Sequence, residues 1–123
     1  MIKLVVSLLL SLACLPATAA LQVFATAPEW AALAREIGSD KVSIYTATTA
    51  LQDIHRITAK PSLLAQARRA QLVVATGADL EIGWLPLVLR DSGNAAIQPG
   101  QPGYFEAARY VTLLDVPAVL DRS

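Results

Sequence analysis

The sequence predicts an α/β fold built on a parallel sheet, and three observations support this prediction. Short segments rich in β-branched residues alternate with amphipathic segments, giving the order βαβαβα. The third strand segment is apolar from Leu72 to Ala75, as expected for a strand covered on both faces. Turn and cap residues separate the segments. This alternation is typical of a Rossmann-like sheet with right-handed crossovers.

The N-terminus has the pattern of a secretory leader. Lys3 precedes an apolar run from Leu4 to Leu15, and small residues follow in an Ala-x-Ala arrangement at 17–19. The run is shorter than the roughly 20 residues that span a bilayer. We predict a signal peptide at 1–19, export to the periplasm and a single domain at 20–123. The alternative is a lipoprotein anchored through Cys14, ranked second because Ser11 stands where a lipobox prefers Leu.

Composition narrows the range of partners. Ten basic and ten acidic side chains give a net charge of zero, without a basic stripe or a run of like charges. This balance argues against nucleic acid or an anionic membrane surface as a partner. The single cysteine is Cys14, inside the predicted leader, so the predicted domain has no disulfide and no thiol ligand. Exported proteins without disulfides are common in a bacterial periplasm.

The first strand is predicted at 21–26 and the first helix from Pro28 to Gly38. Thr26 and Glu29 fit a capping box, in which Thr caps the helix and Glu stands three residues later. Proline suits the first helical turn, where its missing N–H is not needed. The spacing i, i+3, i+4, i+7 predicts one buried helix face, formed by Trp30, Leu33, Ala34 and Ile37.

The second strand is predicted at 41–47, the second helix at 61–70 and the third strand at 71–76. Between the second strand and the second helix lies an unusually long loop, since such loops commonly have about 2–6 residues. Long loops at this position often hold a ligand, because ligands bind beyond the carboxyl ends of parallel strands. The loop contains His55, the single histidine of the sequence.

A third helix is predicted from Asp79, as its N-cap, to Gly93 and Asn94 at its end. Its apolar positions are Leu80, Trp84, Leu87 and Val88, and Pro86 is expected to kink or split it. Both tryptophans, Trp30 and Trp84, are expected to pack in the core. Residues 98–103 form a predicted loop, and 110–114 could form a further strand.

The topology brings possible ligands to one edge of the sheet. The three strand-to-helix loops carry Glu29, His55 with Asp53, and Asp79 with Glu81. Imidazole and carboxylate groups bind divalent metals such as Zn²⁺. Each residue also has a simpler interpretation: Glu29 and Asp79 as helix caps, Glu81 as a first-turn acid, and His55 as an isolated loop residue. No motif for nucleotide binding or for nucleophilic catalysis is present in the sequence.

Two stretches resemble the zinc/manganese-type solute-binding proteins of ABC transporters. Asp53-Ile54-His55 followed by 59–62 is similar to their Asp-Pro-His…Pro-Ser stretch, although Ile54 replaces the usual Pro and Thr58 stands where Glu is frequent. Residues 70–85 are similar to their Ala-Asp-Leu-Val…Gly…Leu-Glu…Trp-Leu segment. The resemblance implies two α/β lobes joined by one long helix, with the metal between the lobes. It also implies that His55 is a direct metal ligand.

From the resemblance we expect residues 20–123 to be the N-terminal lobe of such a receptor, ending before the linking helix and the second lobe. The cargo would be Zn²⁺ or Mn²⁺, and the partner would be the membrane permease of a metal importer. One ring nitrogen of His55 would bind the metal, and Asp53 or a loop carbonyl would accept a hydrogen bond from the other. No catalytic residue is expected.

Two alternatives remain open at this point. The chain could be a truncated fragment of such a receptor with little affinity for metal. It could also be a small exported α/β enzyme that uses Glu81 and His55 as acid and base. The enzyme hypothesis requires these two groups to lie within hydrogen-bond reach in one pocket.

Overall fold

The structure, a computed structural model, describes residues 18–114. Most of the predicted signal peptide, including Cys14, therefore lies outside the described residues. The strands are β1 (Leu21–Ala25), β2 (Val42–Thr46), β3 (Leu72–Ala75) and β4 (Tyr104–Glu106). The α-helices are α1 (Pro28–Gly38), α2 (Pro61–Arg69) and α3 (Leu85–Ser92). In this part of the chain, no helix is long and apolar enough to cross a membrane.

The four strands form one sheet in which every pairing is parallel, in the order β2-β1-β3-β4. This confirms the predicted α/β class with a Rossmann-like parallel sheet. From β1 the chain moves outward to β2 and then returns to place β3 on the other side of β1. The sheet therefore has its topological switch point between β1 and β3, where ligands of open α/β sheets commonly bind.

The first three strands and the first two helices begin and end within one residue of their predicted limits. The fourth strand was placed wrongly, because β4 is Tyr104–Glu106, whereas Tyr110 closes a 3₁₀ turn and Val111–Leu114 lie outside any strand. Pairing begins before β4 itself, where the Val73 N–H donates to the Gly103 carbonyl at 2.8 Å. A three-residue edge strand is too short to give a clear period-2 pattern.

The main hydrophobic core lies on one face of the sheet. Phe24, Val73 and Ala75 point to this face, and α2 and α3 cover it. The helices contribute Leu63, Ala67, Leu85, Val88 and Leu89, and Trp84 joins them from the turn before α3, all of them buried. Trp84 is 1% exposed, which confirms its predicted place in the core.

The opposite face is only partly covered. Helix α1 packs against β2 and β1, and its predicted buried stripe is largely exposed, since Ile37 is 78% and Leu33 50% exposed. Trp30 is half-buried, contrary to its predicted place in the core. A wide apolar groove of about 750 Å³ remains beside α1. We call it the open groove; its lining includes Val23, Trp30, Leu33, Ile37, Val74 and Phe105.

The third helix begins later than predicted. Asp79 is not its N-cap, because Ala78 and Asp79 adopt left-handed conformations with φ of 51° and 65°. A series of turns occupies 77–84, and α3 starts at Leu85. Pro86 thus lies in the first turn of α3, where its missing N–H costs nothing, and the predicted kink does not arise. The predicted end is confirmed, with Gly93 as a left-handed C-cap at φ 66°.

Candidate functional site

Three threonines stand at the carboxyl edge of the sheet. Thr26 follows β1 directly, Thr76 follows β3 directly, and Thr48 comes two residues after β2. The Thr48 hydroxyl donates to the Thr26 carbonyl at 2.8 Å. The indole N–H of Trp30 donates to the Thr76 hydroxyl at 2.8 Å. These bonds fix the first residues of the loops at the switch point.

Glu81 lies at the centre of this network and is 3% exposed. Its Oε1 accepts hydrogen bonds from the Thr26 hydroxyl at 2.7 Å and from the Thr76 N–H at 2.8 Å. Its Oε2 accepts from the Gly77 N–H at 3.0 Å. The predicted role as a first-turn acid was wrong, since Glu81 precedes α3. It connects the end of β1 with the end of β3.

The predicted capping box of α1 was also wrong. Ala27 is the N-cap, and no side chain caps the helix. The Thr26 hydroxyl donates to Glu81, and Glu29 is exposed in the first helical turn. A polar residue at the end of an apolar strand was the available sequence signal for this network. In the sequence, that signal cannot be distinguished from a helix cap.

His55 lies in a short 3₁₀ turn, Ile54–Arg56, and Asp53 caps this turn. The Asp53 Oδ1 accepts a hydrogen bond from the His55 backbone N–H at 3.0 Å. The same oxygen lies 3.0 Å from the imidazole Nδ1. The imidazole remains 62% exposed, so it reaches solvent while its backbone and Nδ1 are held.

The contact with Asp53 defines the chemistry of the ring. An ionised carboxylate can only accept a hydrogen bond, so Nδ1 is the donor in this contact, and Nε2 is the nitrogen that a neutral ring can offer to a metal. The His55 backbone N–H holds the pKa of the Asp53 carboxyl below its ordinary value, and the imidazole and Arg56 add to this effect. A histidine whose other nitrogen donates to a carboxylate is the usual arrangement of a metal ligand.

The loop around His55 is tied to the core from both sides of the histidine. Ile54 and Ile57 are partly buried and pack against the core cluster. The indole N–H of Trp84 donates to the Ile54 carbonyl at 2.7 Å. Apolar anchors on both sides and a buried hydrogen bond therefore limit where the imidazole can lie.

The structure brings together only some of the predicted site residues. Asp53 and His55 are in contact, whereas Glu81 is fully engaged with Thr26, Thr76 and Gly77. Glu81 and His55 share no hydrogen bond among the described residues, so the acid–base pair of the enzyme hypothesis does not form there. Within residues 18–114, no group of three or more His, Cys, Asp or Glu side chains could enclose a metal ion.

A cleft of about 350 Å³ opens beside Glu81, on the side of β4. Asp79, Glu81, Tyr104 and Glu106 contribute its polar lining. Burial raises the pKa of Tyr104 to about 12, and the neighbouring carboxylates of Glu106 and Glu81 act in the same direction. The cleft is therefore acidic, with a phenol that stays neutral at ordinary pH.

Comparison with protein families identifies the family of the chain. The model of one family, described as zinc-uptake complex component A, periplasmic, matches residues 23–113. No curated protein matches the chain. The matched region contains most of β1, the other three strands, the Asp53–His55 pair and the Glu81 network, and it is more than half of the chain. The chain therefore belongs to this family of periplasmic zinc-uptake components.

Proposed function

We propose that this protein captures a divalent transition metal in the periplasm and delivers it to the permease of an ABC importer. The observation that carries the proposal is the imidazole of His55, which is 62% exposed and held through Nδ1 by Asp53. Family membership supports metal uptake as the role. The task is capture and release, so no catalytic residue is required.

We propose zinc as the cargo. Imidazole nitrogen suits zinc, whereas carboxylate-rich sites suit manganese. The carboxylate nearest to His55 accepts a hydrogen bond from the imidazole and so supports the ligand. The family description also names zinc uptake, which gives manganese no comparable support.

We infer that the metal shell is completed from outside the described lobe. Zinc sites in proteins use three or four protein ligands. Residues 18–114 offer His55 without a cluster of further ligands around it. The proposal is therefore that residues 20–123 act as one lobe of a two-lobe receptor, preceded by a signal peptide at 1–19. The metal then lies where the exposed His55 edge meets the other lobe.

The test is a calorimetric zinc titration of the purified chain beside three variants. His55→Ala removes the ligand, and Asp53→Asn removes the carboxylate that orients it. Loss of a supporting hydrogen-bond partner commonly costs about 10–100-fold in metal affinity. The control is Arg56→Ala, because Arg56 lies 3.6 Å from the other oxygen of Asp53 and is exposed. It should leave the affinity within about twofold, the change expected for an exposed ion pair that contributes little.

The outcomes separate the alternatives. Zinc binding that is lost in His55→Ala and weakened in Asp53→Asn supports capture through His55. Binding that is equally weak in all four proteins contradicts metal capture by this chain alone and favours a fragment that binds metal only with the other lobe or not at all.

A further inference from the structure

We propose that Trp84 is the positioning residue for His55, setting the place and direction of the imidazole from the core of the lobe. This inference rests on the proposed function, since it concerns the residue that presents the metal ligand. The bond that Trp84 makes to this loop goes to the backbone carbonyl of Ile54. Trp84 acts through this carbonyl, which belongs to the residue that precedes His55.

The first contact is the hydrogen bond from the Trp84 indole to the Ile54 carbonyl, 2.7 Å long and spanning 30 positions of the chain. The indole is 1% exposed, so its N–H has no water to replace the carbonyl. A buried donor left without a partner costs about 1–3 kcal/mol. The cost of breaking this bond keeps Ile54, and with it the start of the 3₁₀ turn, in one place.

The second contact joins the residue after Ile54 to the residue before Trp84. A Cβ built on Gly83 would stand 3.0 Å from the His55 carbonyl oxygen. The backbone at Gly83 therefore packs closely against the backbone of His55 itself. Two successive carbonyls, those of Ile54 and His55, are thus held by two successive residues, Gly83 and Trp84. Contacts at two points fix orientation as well as position.

The holding segment is itself rigid. The Trp84 N–H donates to the Glu81 carbonyl at 3.2 Å, and the Glu81 carboxylate binds Thr26 and the backbone of Thr76 and Gly77. The switch point of the sheet is therefore connected to His55 through Glu81 and Trp84. By contrast, the Asp53 contact lies within the loop and would move with it.

The experiment compares Trp84→Phe with Trp30→Phe. Each change removes one indole donor and keeps an aromatic ring, but Trp30 donates to the Thr76 hydroxyl, whereas Glu81 is bound by the Thr76 N–H, which Trp30→Phe leaves in place. His55 is the single histidine of the sequence, so its imidazole gives one unambiguous set of nitrogen and carbon-bound proton resonances. These resonances report the Nδ1–H tautomer in the protein without metal.

In Trp84→Phe we expect the His55 resonances to shift, because the ring keeps its Asp53 partner while the loop leaves its place against the lobe. We expect the zinc affinity of this variant to fall about tenfold, at the lower end of the range for lost support of a ligand. Trp30→Phe should leave both readouts unchanged. A Trp84→Phe protein with unaltered His55 resonances and unaltered zinc affinity would overturn the proposal.

Gly83→Ala tests the positioning of His55 with the Trp84 indole intact. It covers the case in which Trp84→Phe fails to fold. The added methyl group presses on the His55 carbonyl and should also shift the His55 resonances.

If His55→Ala leaves zinc binding unchanged, the proposed capture function fails, yet the resonances of the metal-free variants still decide whether Trp84 and Gly83 position His55. If His55→Ala abolishes binding while Trp84→Phe and Gly83→Ala bind zinc normally with unmoved resonances, only the positioning role fails.

Discussion

At the scale of single residues, the buried carboxylate of Glu81 accepts three hydrogen bonds. Its oxygens accept hydrogen bonds from Thr26, at the end of β1, and from Thr76 and Gly77, which follow β3. Thr26 and Glu81 are 55 positions apart in the sequence. Burial of a charged group is costly unless hydrogen bonds compensate it. The three donors offset the cost of burying the carboxylate. Through them, Glu81 links the end of β1 to the end of β3.

Replacing Glu81 by Gln should therefore destabilise the protein. One end of an amide is a donor, and in either orientation it faces the backbone N–H of Thr76 or Gly77 and leaves that group unpaired. We expect the free energy of unfolding to fall by about 1–3 kcal/mol, measured by urea denaturation. Glu29→Gln is the matched control in the exposed first turn of α1, where a loss of at most about 1 kcal/mol is expected. Equal losses in the two variants would contradict the role of Glu81.

Tyr104 predicts a dependence of stability on alkaline pH. Its pKa is raised from 10.0 to about 12 in the folded protein, chiefly by burial. Between these values the unfolded chain releases the phenolic proton while the folded chain retains it, so stability falls as the pH rises. Below pH 10.0 this group contributes no difference.

In Tyr104→Phe, the fall in the free energy of unfolding between pH 10.0 and about 12 should be smaller than in the parent chain. The measurement is the urea midpoint across this window, with Tyr110→Phe as the control because that ring is 74% exposed. Parallel curves for the parent and Tyr104→Phe would show that the phenol ionises equally well in the folded state.

The sequence predicted the candidate site at residue level only in part. His55 could be singled out because it is the single histidine in an unusually long loop, and Asp53 because it stands two residues before it. In the structure Asp53, one of the two acceptors expected for the ring, lies 3.0 Å from Nδ1. The roles of Thr26, Glu81 and Trp84 could not be predicted, because each depends on a partner 30 or 55 positions away. Locally, their spacing matches ordinary caps and core positions.

At the scale of elements, Asn94 joins the end of α2 to the turn after α3. Its amide nitrogen donates to the carbonyls of Ala67 and Ala70 at 3.0 and 2.7 Å. Its Oδ1 accepts from the Ala96 N–H at 3.1 Å. The last carbonyls of a helix lack partners within the helix. Asn94 supplies that partner from a distant part of the sequence.

Asn94→Asp should destabilise the protein more than Asn94→Ala does. Alanine removes the donor, at a cost of about 1–3 kcal/mol for the Ala70 carbonyl, whereas the Ala67 carbonyl keeps its bond from the Ala70 N–H. Aspartate also places a negative charge at the negative end of the α2 dipole. Thermal unfolding of both variants tests the order, with Gln101→Glu as an exposed amide-to-acid control expected within about 0.5 kcal/mol of the parent. If Asn94→Asp is as stable as Asn94→Ala, the predicted repulsion between the added charge and the α2 dipole is contradicted.

Element prediction succeeded where the period and the boundary residues agreed. Helix α2 and strands β1 to β3 have both, and their limits were predicted closely. Helix α3 began late because Ala78 and Asp79 adopt left-handed backbone conformations, which nothing in their side chains requires. Strand β4 was missed because an edge strand of three residues is defined by its neighbour β3 and carries no pattern of its own.

At the scale of the whole molecule, the two faces of the sheet differ. One face is sealed by α2 and α3, whereas the other carries the open groove beside α1. The helical period correctly placed Leu33 and Ile37 on one side of α1 but could not tell whether that side would be covered. Large exposed apolar patches promote association.

We therefore expect the chain to associate as its concentration rises, and Ile37→Lys to reduce this association. Lysine places a charge on the rim of the open groove without disturbing buried atoms, because Ile37 is 78% exposed. The control is Leu51→Lys, since Leu51 is 98% exposed in the loop that carries His55 and does not line the groove. Sedimentation velocity over a range of concentrations measures the effect. Equal association in both variants would exclude the groove as the contact surface.

The order of the strands also has a consequence for the kinetics of folding. β1 is central, and its pairing with β3 joins residues 49 positions apart. Contacts between distant parts of a chain form slowly, because the loop between them must first be closed. Glu81 and Trp84 follow β3 along the chain, so their bonds to Thr26 and Ile54 can form only after that slow step. The loop around His55 should therefore become ordered late in refolding, together with the docking of β3 and not with the earlier pairing of β1 and β2.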